Sequence, residues 1–218
     1  MLVHVDDKSP RLHRIEYEQG RLRRDDLLED PVAQFLRWYQ DAKDAGHRDP
    51  SAMTLATVDG SGLPHARMVL LKAIDDRGFV FCTHKNSPKG LDLQTNPHAA
   101  LVFYWARSER QIRVEGTVRW LSDAENAEFF SARPKGAQIA ATLGHQSETV
   151  AASINLEAQY EEAAAKYDDM DVPPMKTWGG YAIAPMMIEF WQGGINRLHD
   201  RYRYLRVNGG WTITRLMP

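Results

Sequence analysis

Residues 195–204 read INRLHDRYRY, with Arg197, His199 and Arg201 at every second position. On an extended strand that spacing puts all three on one face and Leu198, Asp200 and Tyr202 on the other. Like charges in a row repel, and such a row is tolerated where water or an anion faces it. Other stretches also carry anion chemistry. THKNSPKG (83–90) follows a strand and opens a helix, with Ser87 as cap, Pro88 in the first turn and Lys89 beside it. Free backbone N–H groups, the helix dipole and a lysine suit a phosphate, although an ordinary capped helix is the simpler reading of that motif alone. RMVLLK (67–72) brackets an apolar run with Arg67 and Lys72, five positions apart and so on opposite faces of a regular strand. Both reach one ligand only through a bulge, a bend or a partner chain.

RQIRVEG (110–116) places Gln111, Arg113 and Glu115 on one face and Ile112 and Val114 on the other, the alternation of a half-buried strand. FFSARPKGAQ and GHQSET add Arg133, Lys135, Gln146 and Ser147, all able to bind phosphate or ring carbonyls but individually ordinary surface residues. Trp191 in EFWQGG could stack on a planar ring, and a tryptophan in an apolar strand is equally a core residue.

Several chemistries are set aside. GSGLPH lacks the third glycine of the dinucleotide fingerprint and does not open a helix, and neither a phosphate-loop GKS or GKT nor HExxH occurs. The eight histidines show no metal-ligand spacing, so no metal is expected. A net charge of −2 argues against a surface built for nucleic acid, and DRYRYLR alone is weak evidence for RNA binding. The single cysteine, Cys82, allows no internal disulfide and fits a reducing compartment. MLVHVDDKSP does not read as a secretory signal and the apolar runs are too short to cross a bilayer, so a soluble cytoplasmic protein without membrane partners is expected.

The elements that must position these residues follow from periodicity. Residues 1–30 are polar and charge-dense and read as a mobile N-terminal arm, with one helical turn near Tyr17. Residues 31–218 read as a single domain. Asp30-Pro31 opens a helix carrying Val32, Phe35, Leu36 and Tyr39, which Gly46 stops. Five strand-like runs follow from Ala52, joined by short turns, and Ser122 with Glu125 forms a capping box for a helix that ARPKG ends. A second helical region spans 151–166, and strands return at 181–192, 201–207 and 211–216, the last two joined hairpin-style at Asn208-Gly209-Gly210. Consecutive strands without alternating helices predict a mainly β chain with flanking helices, an α+β fold built on a closed or half-closed barrel.

Taken together, RMVLLK, FVFCTHKNSPKG, RQIRVEG, SARPKGAQI, HQSE, WGGY, IEFWQGG, NRLHDR and the ending RLMP resemble the pyridoxine/pyridoxamine 5'-phosphate oxidase family, in order and at matching spacing from about residue 50 onward. The resemblance implies an FMN-binding split β-barrel and a homodimer with each flavin at the subunit interface, the C-terminal segment serving dimerisation and substrate. It implies oxidation of pyridoxamine or pyridoxine 5'-phosphate to pyridoxal 5'-phosphate, with oxygen as acceptor and hydrogen peroxide as product. Carried over by position, Arg67, Met68, Val69, Leu70, Leu71, Lys72, Cys82, Thr83, Ser87, Lys89, Gln111, Gln146, Ser147, Trp191 and Arg201 fall at flavin positions. Lys72 and Arg133 fall at the substrate phosphate, Arg197 and His199 at the reacting pyridine ring, and Arg14 and Tyr17 in an arm that folds over the occupied site as a lid.

The chain departs from the family's pattern at three positions. Phe129 stands where the family usually has tyrosine and Ala137 where it has serine, both bonding the substrate phosphate, and Cys82 replaces an aromatic residue. Each lost neutral hydrogen bond costs about 0.5 to 1.5 kcal/mol of binding, which leaves the charge-assisted contacts of Lys72 and Arg133 dominant. A related flavin oxidase acting on another aromatic, such as a phenazine precursor, and a non-catalytic flavin or vitamin-phosphate carrier are the alternatives.

Overall fold

The computed structural model describes residues 16–144 and 146–218; Arg14 lies outside the described residues. The helix predicted at Asp30 is α1 (Pro31–Asp44): the Asp30 carboxylate accepts from the backbone N–H groups of Val32 and Ala33, and proline fills the first turn. Phe35, Trp38 and Ala42 form its buried face, and Gly46 ends it at a φ of +71°.

Strands β1 (Ala52–Val58), β2 (Pro64–Asp75) and β3 (Gly78–His84) form an antiparallel meander. Helix α2 (Pro88–Thr95) leads to β4 (His98–Trp105) and β5 (Arg110–Trp120), and three helices, α3 (Asp123–Ser131), α4 (Lys135–Ala141) and α5 (Leu156–Lys166), precede β6 (Trp178–Gln192). In the order β3-β2-β1-β4-β5-β6, with β3 also pairing with β6, six strands close into an antiparallel barrel. The predicted barrel is therefore present. The long β6 continues the sheet to β7 (Asp200–Val207) and β8 (Gly210–Leu216). Asn208 and Gly209, at φ of +49° and +82°, make the two-residue turn between them.

The chain forms two compact units. One comprises residues 51–103 and 113–187. Its core is Met53 and Leu55 of β1, Phe79, Val80 and Phe81 of β3, and Leu101 and Phe103 of β4, all fully buried. Alternation along β1 and β5 is what the sequence predicts, with Ile112 and Val114 buried and Gln111, Arg113 and Glu115 half-buried. Gly116 is forced by closure: a Cβ there would lie 2.1 Å from the Ala184 carbonyl oxygen.

The other unit comprises the chain up to Pro50, residues 104–112 and residues 188–218. Phe35 packs on Trp105, and Trp38 meets Phe190 edge-on. Residues 16–30, within the predicted arm, are tied down. Leu22 and Leu27 are buried, and the buried Asp200 carboxylate accepts from Arg21 Nε at 2.7 Å, the Leu22 backbone N–H at 3.1 Å and Arg215 Nη2 at 2.9 Å. The short 3-10 turn of this segment lies at Arg24–Asp26 rather than near Tyr17.

Three further elements differ from the sequence-based expectation. The stretch 195–204 is not one strand: Ile195–Arg197 is a 3-10 turn, Asn196 and Arg197 have φ of +57° and +64°, and β7 begins only at Asp200. ARPKG does not merely end α3, because Pro134 also opens α4. The last helix starts at Leu156 rather than 151, where the Asn155 side chain caps it by accepting from the Ala158 N–H.

The predicted capping box at α3 is complete. Glu125 accepts from both the hydroxyl and the backbone N–H of Ser122 at 2.7 Å and from Arg77 Nη1 at 2.8 Å. These contacts, Ser122 foremost, pull the Glu125 carboxyl from its ordinary 4.5 down to about 2. A depressed carboxylate contributes stability above its unfolded value and loses it as pH falls through the folded one. The thermal midpoint of Glu125→Gln should therefore lie below that of the parent at about pH 6 and converge on it near pH 2. A gap independent of pH would remove Glu125 from the stabilising set.

Candidate active site

In the barrel unit, β2 carries Arg67 and Lys72. The β2–β3 register shifts between Leu71 and Ala73, so a bulge sits at Lys72. Arg67 and Lys72 both line a cavity of about 560 Å³, and so do the consecutive residues Met68, Val69 and Leu70, so the cavity reaches both faces of the strand. Leu71 is not part of that lining; its backbone N–H donates to the Ser51 carbonyl.

Across the cavity stands the start of α2. Ser87 caps the helix, accepting from the Gly90 N–H while its own hydroxyl donates to the His84 carbonyl. Gly90 is obligatory, since a Cβ would lie 2.1 Å from the Lys85 carbonyl oxygen. Lys89 is only 7% exposed, and its ammonium donates to Gln146 Oε1 at 2.8 Å, Thr83 Oγ1 at 3.2 Å and Ser87 Oγ at 3.3 Å. Among the described residues it meets only neutral oxygens. Burial, then the neighbouring Arg67, lowers its pKa, and burial likewise lowers that of Arg67. Two desolvated cations at a helix N-terminus fit an organic anion such as a phosphate monoester.

Lys72, Cys82, Thr83 and Gln146 also line a second, larger cavity of about 1040 Å³ in the same unit. Arg133 stands on its wall with its guanidinium carbon 4.4 Å from the centre of the Trp178 ring, the geometry of a cation held over an aromatic face. Its Nη1 is buried with no hydrogen-bond partner among the described residues. Phe129 and Ala137 line this cavity without a hydroxyl. The half-buried Cys82 has its thiol pushed up to about 11 by desolvation, against the pull of Lys72 and Arg133.

The second unit assembles a different cluster. The Tyr17 ring stands edge-on to Trp191 and to His199, each 5.5 Å away, and the Arg197 guanidinium lies 5.5 Å above it. Gly193 makes room for that ring, as a Cβ there would come within 2.7 Å of it. His199 Nδ1 accepts from the Gly194 backbone N–H at 3.2 Å, which leaves Nε2 to carry the ring proton of the neutral form. Burial, with the charges of Arg197 and Arg201, lowers its pKa.

Arg201, expected in a row of cations facing an anion, is instead bound by the buried Glu189 at 2.8 Å and the Met217 carbonyl at 2.9 Å. Gln111 is half-buried on β5 in this same unit. Sequence reasoning missed Glu189 and Asp200. Their signal was available: a carboxylate within the apolar run MMIEFW, and one between His199 and Arg201, each demand a cation when buried.

Comparison with known proteins bears on this chemistry. Residues 39–167 match the family model described as pyridoxamine 5'-phosphate oxidase, and residues 178–218 that described as the pyridoxine 5'-phosphate oxidase C-terminal dimerisation region. The pyridoxine/pyridoxamine 5'-phosphate oxidase of Salinibacter ruber is 50% identical over 208 residues, 94% of this chain and 97% of that protein. That of Thermosynechococcus vestitus is 48% identical over 205 residues, with the same coverage. Among solved structures, PhzG from Burkholderia lata in complex with tetrahydrophenazine-1-carboxylic acid superimposes with a TM-score of 0.84 at 32% identity, covering 89% of this chain and 95% of that one. A pyridoxamine 5'-phosphate oxidase-related, FMN binding protein from Nostoc punctiforme shares the fold, with a TM-score of 0.72 at 14% identity over 88% of this chain and all of that one.

The neutral state of His199 is open to direct test. Its ring should titrate below the ordinary 6.5, and the midpoint should rise in Arg197→Leu, where one of the depressing charges is gone. Nuclear magnetic resonance of the imidazole reads both midpoint and tautomer. A midpoint above 6.5 would show that burial and the two arginines do not set the titration, and a proton on Nδ1 that the Gly194 contact does not set the tautomer.

Proposed function

The chain belongs to the pyridoxine/pyridoxamine 5'-phosphate oxidase family, and from that we propose that it holds FMN at the interface of a homodimer, with the flavin phosphate at Arg67 and Lys89. It is an oxidase of pyridoxamine and pyridoxine 5'-phosphates, forming pyridoxal 5'-phosphate and hydrogen peroxide at the expense of oxygen. The observation that carries the cofactor assignment is the buried Lys89 ammonium: it meets only neutral oxygens at the head of α2, beside a second desolvated cation. A dianionic phosphate monoester supplies the missing charge. Thr83, Gln146 and Ser147 offer polar contacts in the same region, and Lys72 lines both cavities.

Bound FMN supplies the acceptor for the hydride that leaves substrate C4' and the route by which electrons reach oxygen. The chain's own residues bind and orient. Lys72 and Arg133 anchor the substrate phosphate, Arg133 already held in place over Trp178. With Phe129 and Ala137 contributing no hydroxyl, that anchoring falls on the two cations. Arg197 presses the pyridine ring toward the flavin. His199, neutral and with Nδ1 occupied, presents its Nε2–H to the polar edge of the substrate. Trp191 contributes an aromatic wall, and Tyr17, packed on Trp191 and His199, belongs to the arm that covers the ring. Among the described residues no helix is long and apolar enough to cross a membrane, which accords with the cytoplasmic setting proposed for the enzyme.

The likeness to PhzG raises oxidation of a phenazine precursor as the second reading, and the absent hydroxyls at 129 and 137 lend it some weight. Identity of 46–50% to the phosphate oxidases against 32% to PhzG, together with Arg133 and Lys72 on the cavity wall, favours the phosphorylated substrate.

The purified protein should be yellow, its flavin should bleach on anaerobic mixing with pyridoxamine 5'-phosphate, and air should restore the colour with release of peroxide. A coloured protein that does not bleach would be a carrier. Arg197→Leu should lose about 10²-fold or more in kcat while retaining its flavin, the scale of a lost orienting contact. Arg133→Leu should act mainly on KM, raising it by about ten- to a hundredfold for loss of a charge-assisted contact. An unchanged KM in Arg133→Leu would move the phosphate elsewhere.

A further inference from the structure

The cation Arg67 is held in place by groups that are not themselves part of the cavity lining. Thr57 on β1 is 1% exposed and Asp92 on α2 is 6% exposed. Arg67 Nη1 donates to Thr57 Oγ1 at 2.7 Å, and Thr57 Oγ1 donates onward to Asp92 Oδ2 at 2.6 Å. The same carboxylate oxygen lies 3.7 Å from Arg67 Nη2 and 3.1 Å from His65 Nδ1. The threonine hydroxyl has one proton, and Asp92 takes it, so a lone pair must face the guanidinium. The Leu55 and His65 carbonyls also accept from this Nη1, but at 3.3 Å, so Thr57 is its short contact; without the Asp92 acceptor the hydroxyl can turn its proton toward the guanidinium and lose that contact.

Asp92 also sits three residues after Lys89, on the adjacent turn of α2. One short helix thus presents a cation to the cavity from its first turn and fixes the opposing cation from its second. We propose that Asp92, acting through Thr57, is a positioning residue that sets Arg67 for the cofactor's phosphate. The role rests on the flavin site proposed above.

Two physical effects of this carboxylate have opposite sign. As a nearby negative charge it screens Arg67 and weakens attraction to phosphate. As an anchor it keeps the guanidinium aimed at the cavity and strengthens that attraction. The hydrogen-bonded relay is direct and short, whereas the ion pair at 3.7 Å is looser, so positioning wins.

The test is titration of apoprotein with FMN and with riboflavin, which lacks the phosphate, followed by flavin fluorescence. Asp92→Ala should weaken FMN binding by about tenfold, the scale of one hydrogen bond to a charged group, and leave riboflavin binding unchanged. Asp92→Asn, which can still accept from Thr57, should recover most of the affinity. In an Arg67→Met background Asp92→Ala should cost nothing further. Tighter FMN binding by Asp92→Ala would show that screening dominates and overturn the role, as would equal losses for the two flavins, which mark a merely structural part. Should Asp92→Ala not fold, Thr57→Val breaks the same relay at constant volume, and an FMN affinity equal to the parent's would overturn the role. A parent protein that binds riboflavin as tightly as FMN would instead overturn the phosphate site itself, and the role of Asp92 with it.

Discussion

Two positive side chains with little water around them, Arg67 and Lys89, set the terms for the barrel unit. Burial lowers the proton affinity of both, and Arg67 lowers that of Lys89 further. Such a pair persists only if surrounding donors and acceptors fix its geometry, as Asp92 and Thr57 do for Arg67 and Thr83, Ser87 and Gln146 for Lys89, and an anion completes its charge. Much of the local architecture follows from that requirement. The glycine at 90 lets α2 start hard against the preceding loop, Ser87 closes its first turn, and Lys72 of β2 lines the same space. The barrel supplies rigidity: β1, β2 and β3 are packed on a core of fully buried phenylalanines and aliphatics, so the cations ride on strands and a helix rather than on loops.

The second unit solves a different electrostatic problem. It brings Arg197, His199 and Arg201 close together and then removes their charge from one another's way. Glu189 neutralises Arg201, and His199 stays unprotonated. Arg197, at a positive φ that a non-glycine residue rarely adopts, leaves the strand path altogether. What remains is one cation, one neutral imidazole and an aromatic wall, a set suited to a flat, polar heterocycle.

The strands and capped helices were legible because each carries a local signal: alternation in AMTLATV and RQIRVEG, proline after Asp30, the Ser122–Glu125 box. Barrel closure was legible only as a class, since pairing of β3 with β6 joins residues about a hundred positions apart. The site residues were legible chiefly through the resemblance, for single motifs such as THKNSPKG read equally well as ordinary caps. The failures share a cause. The row at 197–201 was read from spacing alone, and spacing cannot report that Asn196 and Arg197 turn left-handed or that a carboxylate twelve residues upstream claims Arg201. Asp92 and Asp200 were passed over because an acidic residue in a polar stretch reads as solvated until the fold buries it.

The departure at Cys82 carries a chemical consequence. The reaction releases hydrogen peroxide, and the chain's single sulfhydryl lines both cavities. Oxidation by peroxide proceeds through the thiolate, and a thiol pushed to about 11 is ionised to only roughly one part in ten thousand at neutral pH. Apolar surroundings that discourage ionisation thus act as a chemical shield. The one thiol beside the cavities is thereby kept a poor nucleophile toward peroxide.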